Sequence, residues 1–504
     1  MRSIILILFI LLLNACAELP KPPAAVPVYK ITNVNVIDVL QRELKTGQTV
    51  TVSQGRIIAI TDTDDTAHFE GLVIDGTNQY LIPGLWDSHA VVNRYATDID
   101  YPLYIANGVT SVRSILNCPN EHKISIYACM ETKQRWNQEV RSGKLVGPLI
   151  IGSGSFPVNG TAKIHPDLPA FYKAQTIKEA QEIIDYYAAF DNERKPYSVK
   201  VYNWLEPEVY HELVKQAKLK GFKISGHKPR KLTLEESIAA GQDLFAHARF
   251  FLYECSTLSA ELIQGMHWQL PLPELYRLLL QTYDDEICAK KYEIVAKSRV
   301  AVSPTLLTRR NDYYSLAGKR EWVAGIDYAH FLFEREWQED IDKMAAMLQG
   351  PDDIAVFRAF YEKAAYTIGK AYQNGALILA GTDTYDTYVV PGFSIHEELY
   401  ELYKAGIDPF GVLQAATINN AIYFGMDSEV GSITQGKVAD MVLLNANPLA
   451  DIRNSADINM VFHGQYVYDS SQIDNLKQRA KTVAESHAFT LKMLWSFLKN
   501  PKGF

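Results

Sequence analysis

The sequence predicts an α/β chain, a (β/α)8 barrel carrying a small composite β-sandwich built from both ends. Three observations predict it. Eight short apolar stretches between residues 80 and 383 alternate with helical stretches, the pattern of a parallel sheet wrapped by helices. Segments near both ends alternate apolar and polar residues with period two, as half-buried antiparallel strands do. Several of the eight stretches close on His, Lys or Asp, where an apolar residue would suit a packed core better.

At the N-terminus, Arg2 precedes the apolar run IILILFILLLNA, which is too short to span a bilayer and suits a secretory signal over 1–15. The run ends in Leu13-Asn14-Ala15-Cys16, which is similar to the lipobox of bacterial lipoproteins. That similarity implies a lipidated Cys16 as the mature N-terminus, a Pro-rich tether over 16–27 and a lipid anchor in the cell envelope. Ala17 in place of Asp favours the outer membrane, facing the periplasm. In that oxidising compartment Cys118, Cys129, Cys255 and Cys288 are expected as disulfides. Cys118 and Cys129 share one insertion, and Cys255 and Cys288 share another, so two short closures are expected.

The sandwich is expected from residues 28–80 plus 430–468, and the barrel from 81–429. Its strands are read at 80–89, 108–115, 145–154, 197–203, 223–228, 243–251, 299–307 and 376–383. Long excursions at 116–140, 252–297 and 308–370 are placed to roof the active face. From 469 to 504, Leu476, Ala480, Val483, Leu491, Leu494 and Leu498 recur three or four apart, predicting one amphipathic C-terminal helix docked on its own domain. The alternative for this helix is a dimer or membrane contact. The net charge of −8 gives nucleic acid no basic face to bind.

Active sites of such barrels sit at the C-terminal ends of the strands. There the chain places His89, Lys200, His227, His247 and Asp383, a set suited to a zinc-like ion. Together with LIPGLWDSH, GVTSVR, VKVY, GHKP, SPTL, AGTD and the block from GFSIHEEL to GKVADMVLL, this pattern resembles the amidohydrolase superfamily, in its imidazolonepropionase-like and Xaa-Pro dipeptidase-like branch. The resemblance implies a hydrolase acting on an amide, cyclic amide or dipeptide C–N bond. It implies that Lys200 is carbamylated and bridges two metals, that His227 and His247 hold the second, and that Asp383 binds the first and takes the proton of water. Val91 stands where the first strand's second histidine belongs, so a reduced site is expected, with one ion held and two conceivable. That metal is expected to depend on His227 and His247 more than on His89. The alternative is a catalytically impaired, ligand-binding lipoprotein on the same fold. Arg309 and Arg310 follow the seventh strand and are candidates for a substrate-carboxylate clamp. His396 is read as structural, and His68, His165, His267 and His330 as surface or packing residues.

Overall fold

Strands from the two ends of the chain meet in one sheet. In the computed structural model, which describes residues 19–62, 69–118, 126–160, 172–191, 195–319 and 323–499, that sheet has eight strands. Cys16, His68 and His165 lie outside the described residues. The seam is antiparallel: Met441–Leu444 runs against Tyr80–Pro83, with Met441 opposite Pro83 and Leu444 opposite Tyr80. Val28–Asp38 is the hub, pairing with Glu43–Ser53, Leu72–Asp75 and Tyr80–Pro83. Alternation puts Tyr29, Ile31, Val50 and Phe462 into one buried cluster, where the Tyr29 and Phe462 rings stack at 5.4 Å. Each such side chain contributes roughly 1.5–3 kcal/mol when fully buried.

The stretch at 80–89 is not one strand, as the sequence suggested. It divides at Gly84 into Tyr80–Pro83 of the end sheet and a parallel strand, Leu85–Ala90. Pro83 has no N–H to continue a ladder. The Gly84 amide turns to the carbonyl of Asp440, and a Cβ there would stand 2.3 Å from Oγ1 of Thr110. Only glycine lets the chain change sheets at that point.

The parallel strands follow in order: β1 Leu85–Ala90, β2 Val109–Ser114, β3 Leu149–Ile150, β4 Ser198–Val201, β5 Lys223–Gly226, β6 Leu244–Ala246, β7 Ala301–Ser303 and β8 Leu377–Ile378. β1 to β3 form one sheet, and β4 to β8, with Val158–Asn159 and Tyr172–Lys173, form another. Isolated parallel bridges, Gly154 to Ser198 and Ala90 to Thr384, link the two sheets at either side, giving a barrel-like α/β architecture. Local sequence explains the helices between them. The helix Leu234–Ala240 starts with a reciprocal Thr233–Glu236 capping box and stops at Gly241, whose φ of 114° is costly for other residues.

The excursions carry α1 Met130–Arg141 after β2, four helices between Phe250 and Ser298 after β6, and α2 Leu306–Leu316, α3 Phe331–Ala345 and α4 Pro351–Gln373 after β7. Sulfurs of Cys118 and Cys129 lie 2.08 Å apart, and those of Cys255 and Cys288 1.93 Å apart, as two disulfides. The C-terminal segment departs from the single helix expected. It forms α5 Ser470–Ala484 and α6 His487–Lys499, because Ser486 Oγ accepts the Phe489 amide and starts a second helix. Phe489 and Met493 of α6 pack with Phe333 and Trp337 of α3, while Leu491 and Leu498 are exposed.

Candidate active site

The ends of the parallel strands bring His89, His227, His247, Lys200 and Asp383 to one floor. His89 closes β1, and its carbonyl accepts the Asp383 amide at 2.6 Å, which ties the first and last strand ends together. Asp87 strengthens the tie: its carboxyl accepts from the Thr382 amide at 3.0 Å, the Thr382 hydroxyl at 2.6 Å and the His89 amide at 3.1 Å. Complete burial pushes the Asp87 pKa up to about 7, against these hydrogen bonds. The sequence reading missed Asp87, although it sits two residues before His89 in the same motif.

Nε2 of His89 lies 3.3 Å from Oδ1 of Asp383, and Nδ1 of His247 lies 3.5 Å from its Oδ2. One ligand atom each from His89, His247 and Asp383 falls within 4.8 Å of the others. His227 joins through His247, with their Nε2 atoms 3.1 Å apart. Outer partners orient two of the rings: Nδ1 of His227 meets Oδ1 of Asn203 at 2.6 Å, and Nδ1 of His247 meets Oγ1 of Thr305 at 2.9 Å. His247, Thr305 and Asp383 all have positive φ, at 66°, 45° and 61°. Such conformations cost of order 1–3 kcal/mol each and gather where geometry serves a site.

Electrostatics keep the donors ready. Burial lowers the His89 pKa to about 4, and burial with neighbouring cations holds His227 and His247 well below the ordinary range. All three rings are therefore neutral near pH 7. Burial alone would raise the Asp383 carboxyl, but His89, Lys200 and Arg249 outweigh it and hold it below the usual carboxylate range. Lys200 is 1% exposed, and burial, helped by Arg113 and Arg249 and opposed by Asp383, brings its pKa down to about 7.

This donor set fits a divalent metal. Nδ1 of His89 is buried without a hydrogen-bond partner and Nε2 has only the Asp383 carboxylate at 3.3 Å, an arrangement that costs free energy unless a further ligand is bound. Neutral imidazoles and an ionised carboxylate are the usual ligands of zinc-like ions. A cavity of about 1290 Å³ opens above them, with Val91, His227, His247 and Asp383 among its lining and α3 and α6 contributing Phe333 and Met493. Val91 lies just beyond the end of β1, and its amide donates to the Thr384 carbonyl at 2.5 Å.

The arginines chosen from the sequence are otherwise engaged. Arg310 is buried away from the cavity between Glu397 at 3.1 Å and Glu401 at 3.2 Å, a pairing that holds the helix Phe393–Lys404 and excludes it as a substrate clamp. Arg309 lines the cavity but is neutralised by Asp312 at 2.5 Å and Asp386 at 3.5 Å. Two cavity arginines that the sequence reading passed over, Arg230 and Arg249, have no such partners among the described residues. His396 is structural, held by Ser455 Oγ at 2.9 Å and the Asn107 carbonyl at 3.1 Å. His267 pairs with Glu261, and His330 contacts Thr490.

Comparison with known proteins agrees with this fold. The bottromycin amidohydrolase structure is 20% identical, covering 94% of this chain and 96% of its own, with a TM-score of 0.69. A Xaa-Pro dipeptidase with methionine bound in its active site is 16% identical, covering 88% of this chain and 100% of its own, with a TM-score of 0.59. At these identities the likeness establishes the fold. An adenine deaminase of Roseobacter denitrificans is 30% identical over 132 residues, 25% of this chain. The chain spans only 21% of that relative's length. Residues 283–467, which include Asp383 but none of the other four floor residues, match the amidohydrolase family model, and the fold is shared with solved amidohydrolase structures.

Proposed function

We propose that this protein is a metal-dependent hydrolase that breaks the C–N bond of an amide, cyclic amide or dipeptide. The observation that carries the reading is the convergence of His89, His247 and Asp383, with His227 beside them, on the floor of a large cavity. These four residues would hold one zinc-like ion, with Lys200 near them. Such an ion supplies Lewis acidity toward a carbonyl and toward water.

The chain's own groups supply the rest. Oδ2 of Asp383 is positioned to accept a proton from attacking water and return it to the leaving nitrogen. His89, Lys200 and Arg249 together hold that carboxyl below the usual carboxylate range. Lys200, with its pKa near 7, offers a substantial fraction of neutral amine, the form that reacts with CO2 to give a carbamate. Metal analysis of purified protein, paired with a hydrolysis screen of N-acyl amino acids, tests the reading. Protein that takes up zinc and releases amine supports it, whereas protein that takes up none removes its basis.

Val91 sets the stoichiometry. In Val91→His a new ring would stand at the cavity wall beside His89, and bound zinc is expected to rise from about one toward two per chain under excess zinc and bicarbonate. Unchanged stoichiometry in a folded variant would mean that the pocket around Val91 no longer accommodates a second ion. We further propose that the mature chain is anchored in the cell envelope through a lipid on Cys16, by reason of the short apolar core and the Leu13-Asn14-Ala15-Cys16 sequence. Mass spectrometry of membrane-extracted protein is expected to find a diacylglyceryl-modified Cys16 at the N-terminus. An unmodified N-terminus at another residue excludes the anchor.

A further inference from the structure

Six basic and six acidic side chains line the large cavity, but they are unevenly paired. Four of its carboxylates face cations of the protein, Asp383 faces His89 and His247, and Glu336 has no ion-pairing partner among the described residues. Glu254 meets Lys228 at 2.8 Å and Lys291 at 3.2 Å, Glu339 meets Arg335 at 3.0 Å, Asp340 meets Lys343 at 3.3 Å, and Asp386 faces Arg309. Arg230 and Arg249 line the same cavity, and among the described residues neither guanidinium has a hydrogen-bonding or ion-pairing partner.

Arg230 is held in an unusual way. Its guanidinium carbon lies 4.1 Å from the ring centroid of Trp204 and 3.8 Å from that of Trp268. The two indoles thus flank the guanidinium at cation–π distance. The N–H donors of a guanidinium lie in its plane as a fork. Trp268 is itself fixed by Nε1 donating to the Leu262 carbonyl at 2.7 Å. The three residues come from separate segments: Trp204 follows β4, Arg230 follows β5, and Trp268 lies in the excursion after β6. Burial pushes the Arg230 pKa down to about 10, as expected of a cation short of negative charge.

We propose that Arg230, caged between Trp204 and Trp268 and assisted by Arg249, is a substrate-binding residue that takes a carboxylate at the end of the substrate away from the scissile bond. A planar carboxylate matches the in-plane fork, and exclusion of water by the indoles strengthens the contact. The inference rests on the hydrolase reading for which bond reacts; the carboxylate contact stands independently of turnover.

The test is calorimetric titration of zinc-loaded protein with N-acetyl derivatives of glycine, leucine, phenylalanine and proline, each as free acid and as C-terminal amide. At least one acid is expected to bind tenfold or more tightly than its amide. Arg230→Met, which keeps an apolar filler between the indoles, is expected to abolish that difference while leaving amide affinity unchanged, and Arg230→Lys to restore part of it. Acids binding no better than amides in the unmodified protein overturn the proposal without recourse to any variant. If Arg230→Met weakens acid and amide alike, Arg230 is a structural clamp and the proposal fails. Hydrolysis of the same compounds is followed separately: acid-selective binding without turnover leaves the carboxylate site standing and removes the hydrolase reading.

Discussion

Replacing His247 by alanine is expected to empty the metal site, with bound zinc falling below about a tenth of the wild-type content after dialysis. His247 is the common member of the constellation. Its Nδ1 lies 3.5 Å from Asp383 and its Nε2 lies 3.1 Å from His227, so removing the ring weakens either grouping of ligands. Loss of an outer partner that only orients a ligand typically weakens a metal ~10–100-fold. Loss of a ligand should exceed that, by an affinity change of more than about 100-fold. Asn203→Ala provides the internal scale, because the Asn203 side chain meets Nδ1 of His227 and its loss leaves all the ligands in place. It should fall within the ~10–100-fold range. Metal analysis and competition with a chromophoric chelator measure both. Full zinc retention in a folded His247→Ala protein would place the metal elsewhere.

Asp383→Asn is expected to lower kcat/KM by about 10³-fold or more, equivalent to roughly 4 kcal/mol of transition-state stabilisation. The substitution conserves shape and leaves an oxygen near the imidazoles, but the amide cannot accept and return a proton as the carboxylate can. Asp383 can take this role because its interactions with His89, Lys200 and Arg249 hold its carboxyl below the usual range despite burial. Amine release from whichever N-acyl amino acid the wild-type protein cleaves provides the assay, with zinc content measured alongside. A variant that keeps its zinc and wild-type turnover would remove Asp383 from proton transfer. Loss of zinc and activity together would assign it mainly to metal binding.

Local pattern in the sequence was sufficient for the alternation of strands and helices, because side-chain periodicity follows from backbone geometry alone. It also located the floor of the site, since a parallel strand closing on His, Lys or Asp announces itself without knowledge of its neighbours. His89, Lys200, His227, His247 and Asp383 were readable in this way. Folding decided what each residue meets. Gly84 separates two sheets because Thr110 and Asp440 press against it, and both are distant in the chain. Ser486 restarts the C-terminal helix, so α6 lies over the cavity as a separate element beside α3.

The arginines show the limit most clearly. In sequence, Arg309 and Arg310 look available and Arg230 is unremarkable. In the fold, Arg310 is neutralised by Glu397 and Glu401, about ninety residues later, and Arg230 is left without a carboxylate between two indoles. Whether a guanidinium is free depends on charges within a few ångströms of it, and only tertiary packing determines which charges those are.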